Sequence, residues 1–154
     1  MRKSNREIKD FNKIVELLDK CQVLRLGLYS DDYPYIVPLS FGWEVNEGKL
    51  NIYFHCAKEG KKVDLIAKNN KVCVEADILN GYRATERSVT ADYESVIGFG
   101  TAKEVVGNEA VHGIKLLLEH CGIDGYSPED CVLMGIVAVY KITVDNITGK
   151  KRFM

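Results

Sequence analysis

Short runs of alternating apolar and polar residues, separated by tight-turn signals, dominate the first third of the chain. Leu24, Leu26 and Leu28 alternate with other residues, as in a strand that buries one face. Turn signals follow at Asp31–Pro34 and at Asn46–Gly48, each a few residues from the next strand candidate. Connections this short exclude the long crossovers that parallel strands need. The chain is therefore predicted to build antiparallel hairpins.

The complete pattern predicts about six strands and few helices. The strand candidates cover residues 23–29, 35–43, 50–55, 71–78, 93–106 and 135–144, and residues 79–91 are predicted to form a polar loop. The helix candidates cover residues 5–20, 60–69 and 108–121, with a further helical turn that begins at Pro128. Asn108 is the predicted N-cap of the third helix, and Gly122 is its predicted C-terminal stop. Antiparallel strands with sparse helices favour a mainly β fold, in which a small barrel carries peripheral helices. A β-sandwich is the structural alternative.

Length and charge narrow the function classes. The 154 residues contain no repeat or low-complexity linker, so residues 1–154 are predicted to form a single domain. A formal net charge of −1 argues against a dedicated nucleic-acid binder. No apolar run approaches the ~20 residues that a membrane span requires, and no signal peptide is expected. The five cysteines form no CxxC pair, so we expect reduced thiols, a cytoplasmic location and no metal site.

The segment after the third predicted strand carries the strongest chemical signal. The strand ends at His55 and Cys56, a loop containing Gly60 follows, and Lys61 and Lys62 begin a short helix. Free backbone N–H groups and the helix dipole attract an anion there, and two ammonium groups add positive charge. The pattern predicts a phosphate-binding site, and a solvated helix start is the alternative.

Several single residues have both a structural and a functional interpretation. A lone histidine at a strand end, such as His55, is commonly structural, although imidazole also suits proton transfer. Cys56 is a reactive thiol only if the neighbouring lysines lower its pKa. His112 and His120 are both predicted to lie at the surface of the third helix. Pro38 removes a donor from its strand, which predicts an edge strand or an irregular stretch. Irregular strand backbone beside a cofactor can offer N–H and C=O groups to a ring, and a simple edge strand is the alternative.

Four segments match, in order, the pattern of one known family. They are Cys21–Leu28, Pro34–Phe41, Tyr53–Ile66 and Tyr93–Gly100, and the C-terminal Ile147–Lys150 segment is also typical. In these segments the chain resembles the pyridoxamine 5′-phosphate oxidase-like, flavin-binding split-barrel superfamily, and within it the 5-nitroimidazole resistance (Nim) proteins. The resemblance implies a six-stranded antiparallel split β-barrel with flanking helices. It also implies a homodimer that holds two flavins at the subunit interface.

The resemblance further implies which residues hold the flavin. Lys61 and Lys62 correspond to the basic pair that binds the flavin phosphate, and His55 and Cys56 correspond to strand-end residues that contact the flavin. The residues that would lie along the isoalloxazine ring are Val37, Pro38, Leu39 and Ser40. In Nim proteins the histidine equivalent to His55 lies beside the flavin or the substrate pocket. FMN is the expected cofactor and FAD is the alternative, because a phosphate site suits both.

These implications predict an FMN-dependent oxidoreductase that reduces small electrophiles such as nitroimidazole and nitroaromatic compounds, with His55 as the catalytic residue. True pyridoxamine phosphate oxidases carry C-terminal Trp-containing and Arg-Leu-His-Asp-Arg segments, which Lys150–Met154 does not match. Oxidation of pyridoxamine phosphate is therefore disfavoured. Two alternatives stay open: a haem-binding or haem-degrading protein with His55 as ligand, and a flavin-binding module without turnover.

Overall fold

The computed structural model describes residues 3–133 and 135–152, which contain eight strands and four α-helices. The strands are β1 (Glu7–Ile8), β2 (Leu24–Leu28), β3 (Tyr35–Leu39), β4 (Gly42–Asn46), β5 (Lys49–Ala57), β6 (Lys71–Thr85), β7 (Ser88–Val105) and β8 (Val137–Arg152). The helices are α1 (Phe11–Lys20), α2 (Lys61–Lys68), α3 (Asn108–His120) and α4 (Pro128–Leu133), and Ser4–Arg6 forms a 3₁₀ turn. None of the described helices is long and apolar enough to cross a membrane.

The eight strands form one antiparallel sheet that closes on itself. Its order is β3-β2-β6-β7-β8-β5-β4, and β1 pairs with β8. The two outermost strands, β3 and β4, are consecutive in the chain, and only Ser40 and Phe41 separate them. A flat sheet would hold these edges about 29 Å apart at about 4.8 Å per strand, whereas three Cα steps span at most about 11 Å. The sheet must therefore curl into a barrel that is split between β3 and β4.

Apolar side chains from alternate strand positions fill the barrel. The largest fully buried side chains of this core are Phe41, Phe54, Leu18, Leu24, Leu26, Leu50, Ile52 and Ile142, of which Leu18 comes from α1 and Phe41 from the turn between β3 and β4. Helix α1 joins this core through Ile14, Leu17 and Leu18, which recur at helical spacing on its buried face. Asp10 caps the helix by accepting a 3.0 Å hydrogen bond from the backbone N–H of Asn12. The prediction of a mainly β, antiparallel split barrel with few helices is thus confirmed.

A polar network fixes α3 against the outer face of β4 and β5. The hydroxyl of Tyr53 donates to Glu44 Oε1 over 2.9 Å, and His112 Nε2 lies 2.8 Å from Glu44 Oε2. Partial burial opposes ionisation of Glu44, but the hydrogen bonds from His112 and Tyr53 outweigh it and hold the pKa of this carboxyl below its ordinary value. Close packing of the helix requires Gly113, since a Cβ there would lie 2.6 Å from Cδ1 of Tyr53.

The predictions for the two histidines of α3 and for the two ends of this helix had different outcomes. His112 is exposed as predicted, but His120 is not a surface residue, because only 7% of its side chain is accessible. Its ring packs on Phe41 at 4.4 Å between centroids, and Nε2 hydrogen bonds the carbonyl oxygen of Cys21 over 2.9 Å. The predicted stop at Gly122 is confirmed by its φ of +67° and by the hydrogen bond from Ile123 N to Leu118 O. The helix cap is Gly107, and not Asn108 as predicted.

Several predicted boundaries differ from the structure. Residues 79–91 are not a loop, because β6 and β7 continue as a two-stranded ribbon in which Arg83 and Asp92 form a 2.6 Å ion pair. The predicted strand 35–43 is two strands, since the chain turns at residues 40–41 to close the barrel. With β1 as a further addition, the described residues contain eight strands rather than the predicted six. The first helix begins at Phe11, and β8 takes in the basic tail as far as Arg152. Residues 153–154 of that tail lie outside the described residues.

We expect the substitution Glu44→Gln to lower the free energy of unfolding at pH 7 by about 1 kcal/mol, because it weakens charge-assisted hydrogen bonds that fix α3. The folded carboxyl has a pKa below its ordinary value of 4.5, so its contribution is complete above that pH and is lost as the pH falls through the folded value. Urea unfolding of wild type and variant at pH 7 and pH 3 measures this effect. Glu119→Gln is the control, since Glu119 makes only an exposed 3.8 Å contact with Lys115. An equal difference between wild type and Glu44→Gln at both pH values would contradict the assignment.

Candidate functional site

The N-terminus of α2 lies directly after β5, where the chain turns from strand to helix. Gly60 precedes the helix with φ of +132°, a conformation that favours glycine, and no side chain caps the first turn. Lys61 and Lys62 are the first two helical residues, as the sequence predicted. Uncapped N–H groups therefore lie beside two ammonium groups, which is an arrangement that suits an anion.

Both lysines line a small cleft of about 220 Å³ between α2 and the edge strand β3. The other lining residues are Tyr35, Val37, Cys56, Ala57, Glu59, Gly60 and Val63. Aromatic rings support the ammonium groups: Nζ of Lys61 is 5.0 Å from the ring centroid of Tyr35, and Nζ of Lys62 is 5.5 Å from that of Phe54. Because these contacts use the ring faces, the N–H donors of both lysines stay free for a ligand.

Cys56 is half-buried in this cleft. Burial raises the pKa of its thiol above the ordinary 9.0, although the charge of Lys62 acts in the opposite direction. The thiol is therefore protonated at neutral pH, where it is a weak hydrogen-bond donor and a poor nucleophile. The interpretation of Cys56 as a lysine-activated thiol is not supported.

His55 lies beside Cys56 in β5 but does not line the cleft, because successive strand residues point to opposite faces. Its side chain is exposed at the strand end. Partial burial among neighbouring atoms, and then the charge of Lys62, lower the pKa of His55 below its ordinary 6.5. The imidazole is therefore neutral at neutral pH and has one nitrogen that accepts and one that donates.

The predicted ring-binding segment forms the free edge of the sheet. Among the residues that the structure describes, strand β3 pairs only with β2, in the register Arg25 to Pro38. Of the two predictions from Pro38, the edge strand is therefore the one observed. Val37 lines the cleft, and Val37 and Leu39 pack against the barrel core, whereas Pro38 and Ser40 are exposed. The other side of β3 leaves backbone N–H and C=O groups available to a ligand.

The structure thus brings four of the eight candidate residues around one cleft. These are Val37, Cys56, Lys61 and Lys62, while Pro38, Leu39 and Ser40 continue along the same edge strand and His55 lies on the opposite face of β5. The role of each in binding a flavin stays a prediction. Sequence reasoning missed Tyr35, which supports Lys61; the alternation of Tyr35, Val37 and Leu39 on one strand face was the available signal.

Among residues 3–133 and 135–152, no group of three or more His, Cys, Asp or Glu side chains is arranged to hold a metal ion. Four of the cysteines, Cys21, Cys56, Cys73 and Cys121, are free thiols. Burial of Cys21, with smaller contributions from Asp77 and Glu75, raises the pKa of its thiol to about 11. Its Sγ lies 3.3 Å from the carbonyl oxygen of Leu17, so Cys21 is a core residue.

Comparison of the sequence with known protein families identifies the family of this chain. A family model described as pyridoxamine 5′-phosphate oxidase matches residues 10–151 of the chain. Among curated proteins, none matches the chain in sequence.

Three solved structures illustrate which proteins share this fold. A candidate 5-nitroimidazole antibiotic resistance protein from Bacteroides thetaiotaomicron is 27% identical, with a TM-score of 0.81 and coverage of 94% of this chain and 85% of that one. An FAD-binding protein from Mesorhizobium loti is 19% identical, with a TM-score of 0.69 and coverage of 96% and 98%. An FAD- and haem-binding protein from Mycobacterium smegmatis is 16% identical, with a TM-score of 0.76 and coverage of 97% and 74%.

Proposed function

The chain belongs to the pyridoxamine 5′-phosphate oxidase family, and we propose that it binds a flavin and uses it to reduce small electrophiles such as nitroimidazole and nitroaromatic compounds. The observation that carries this proposal is the cleft at the N-terminus of α2, in which Lys61 and Lys62 flank uncapped backbone N–H groups. Glu59 is the one carboxylate on the cleft wall, so positive charge prevails there. The donor set fits a flavin phosphate.

The edge strand β3 is the element that would orient the flavin ring. Its free backbone edge runs from the cleft at Val37 towards Ser40, and Pro38 interrupts the N–H groups along it. A bound flavin, expected to be FMN or the FMN unit of FAD, supplies the two-electron chemistry, and the chain supplies orientation and hydrogen bonds. The similarity to the Bacteroides protein supports small nitro compounds as the substrate class.

We assign His55 the role of holding or transferring a proton near the substrate. Its imidazole is exposed at the end of β5 and neutral at neutral pH, so it donates a hydrogen bond through one nitrogen and accepts through the other. As a proton donor it acts mainly in the imidazolium form, which becomes abundant only below pH 6.5 because its pKa is lowered.

A homodimer with the flavin at the subunit interface is part of the proposal. Exposed apolar side chains form a stripe on the outer face of β6 and β7, interrupted by the polar pair Asp77 and Ser95. Its members are Leu79, Tyr82, Val89 and Ile97, with accessible fractions of 51%, 74%, 72% and 43%. Such a stripe favours burial against a second copy of the chain. A cytoplasmic location is supported by the free thiols.

Haem binding is a second candidate function, and one observation favours it. A neutral, exposed imidazole such as that of His55 is a competent iron ligand. The Mycobacterium structure of the same fold is that of a protein that binds both FAD and haem. Titration with haemin tests the idea: a Soret band that His55→Ala abolishes and His112→Ala preserves would support it, and equal spectra for both variants would exclude His55 as ligand.

Replacing both Lys61 and Lys62 by alanine is expected to weaken FMN binding by about 100-fold or more, because charge-assisted hydrogen bonds contribute roughly 1.5–3 kcal/mol each. Quenching of flavin fluorescence during titration measures the dissociation constant. Lys68→Ala is the matched control, since Lys68 lies at the opposite end of α2 and does not line the cleft. Equal affinities for the double variant and wild type would refute the phosphate site.

The rate of nitroaromatic reduction is expected to rise as the pH falls below 6.5, because His55 then gains the proton that it transfers. The measurement is single-turnover reoxidation of the chemically reduced flavoprotein by a nitroaromatic compound between pH 5 and pH 9. The variant His55→Gln should lose the rise, and His112→Gln should keep it. A pH profile that is the same in His55→Gln and wild type would remove the proton-transfer role. A protein that binds flavin but is not reoxidised would be a binding module without turnover.

A further inference from the structure

A second, larger hollow adjoins the phosphate cleft, on the outer face of β2, β6 and β7 and beside the loop that joins β2 to β3. It has a volume of about 510 Å³. Its floor and walls, here called the aromatic groove, include Gly27, Tyr29, Tyr33, Ile36, Cys73 and Phe99. The rings of Tyr29, Tyr33 and Phe99 are accessible to 66%, 79% and 56%, so three aromatic surfaces are available to a ligand.

The floor of the groove includes a residue without a side chain. Gly27 lies in the middle of β2, paired with Ile36 on one side and Cys73 on the other. Its φ is not positive, and a Cβ there would lie 3.5 Å from Cβ of Cys73, which is ordinary contact. The fold itself therefore does not require glycine at this position. A glycine in a strand interior marks a bulge, a bend, or close approach by a ligand or another backbone. The regular pairing of β2 on both sides of Gly27 excludes the bulge, which favours close approach.

The groove and the phosphate cleft share one wall. Tyr35 lines both, and Nζ of Lys61 is 5.0 Å from the centroid of its ring. A molecule that places a phosphate beside Lys61 therefore needs to pass only one side chain to reach the groove. The cleft carries the positive charge, whereas the groove has carboxylates at Asp32 and Asp145 and one ammonium group at Lys71.

We propose that the aromatic groove holds the adenine of FAD, so that the cofactor is the dinucleotide rather than FMN; this rests on the proposed flavin function. The pyrophosphate stays at Lys61 and Lys62, where the charge favours it. The neutral, planar base stacks among Tyr29, Tyr33 and Phe99 over the backbone of Gly27. Its exocyclic amino group is a donor for the rim carboxylates, which would repel a phosphate.

The test compares FMN and FAD on the same proteins by fluorescence titration. Wild type is expected to bind FAD at least about fivefold more tightly than FMN, because about fivefold is the lower limit of the affinity gained when one base stacks on aromatic side chains. Tyr33→Ala, Phe99→Ala and the groove-filling Gly27→Val should each lower the affinity for FAD towards that for FMN and leave the affinity for FMN unchanged. Tyr126→Ala is the control, because Tyr126 is equally exposed but does not line the groove. Thermal unfolding checks that each variant is folded.

Equal affinities of wild type for FMN and FAD would overturn the inference and leave the flavin function intact. Equal losses for both flavins in the groove variants would also overturn it, because the groove would then contact the isoalloxazine ring or a second copy of the chain. Failure of wild type to bind either flavin would instead refute the flavin function on which the inference rests.

Discussion

The closure between β3 and β4 is the constraint on which the rest of the structure depends. Two residues, Ser40 and Phe41, join strands at opposite ends of a seven-strand path, so the sheet has to curl. Phe41 is fully buried at that corner and packs under His120 of α3. The closure is incomplete, because β3 and β4 do not pair. The split therefore leaves one long backbone edge on β3, which is the feature that a ligand can use.

Polar and charged groups lie beside that free edge because β5 ends there and α2 begins there. Strand β5 crosses the barrel and delivers Cys56 to the inner side of the split, and the Gly60 turn then directs α2 with its N-terminus towards β3. Phe54 stacks on Tyr140 at 5.2 Å and places a ring below Lys62. The positive charge of the cleft thus rests on packed aromatic rings of the core, and local helix electrostatics and barrel packing act at the same place.

The sequence allowed prediction of the features that are local. Alternation predicted the hairpins, helical spacing predicted the buried face of α1, and the Gly-Lys-Lys signal predicted the start of α2. Features that depend on distant partners were not predictable in this way. The ribbon at residues 79–91 mixes polar residues with scattered apolar ones and shifts register between Leu79 and Gly81, so it carries no clear alternation signal. Its strands depend on cross-strand pairs such as Arg83 with Asp92. His120 likewise resembles a surface residue until Phe41 and the carbonyl of Cys21 come from other elements.

Burial and the charge of Lys62 together determine the charge states of Cys56 in the cleft and of His55 on the other face of β5. For His55 both influences favour the neutral imidazole, so its pKa is lowered. For Cys56 they oppose one another, and burial prevails, so the thiol stays protonated. Near neutral pH, neither of these two groups adds charge beside Lys61 and Lys62. The field at the N-terminus of α2 is therefore set by the lysines, the helix dipole and Glu59, and a phosphate there meets the same field across the neutral pH range. In the proposed function, phosphate binding and proton transfer are thus separated: the lysines and the helix dipole would bind the phosphate, and His55, on the opposite face of β5, would transfer the proton.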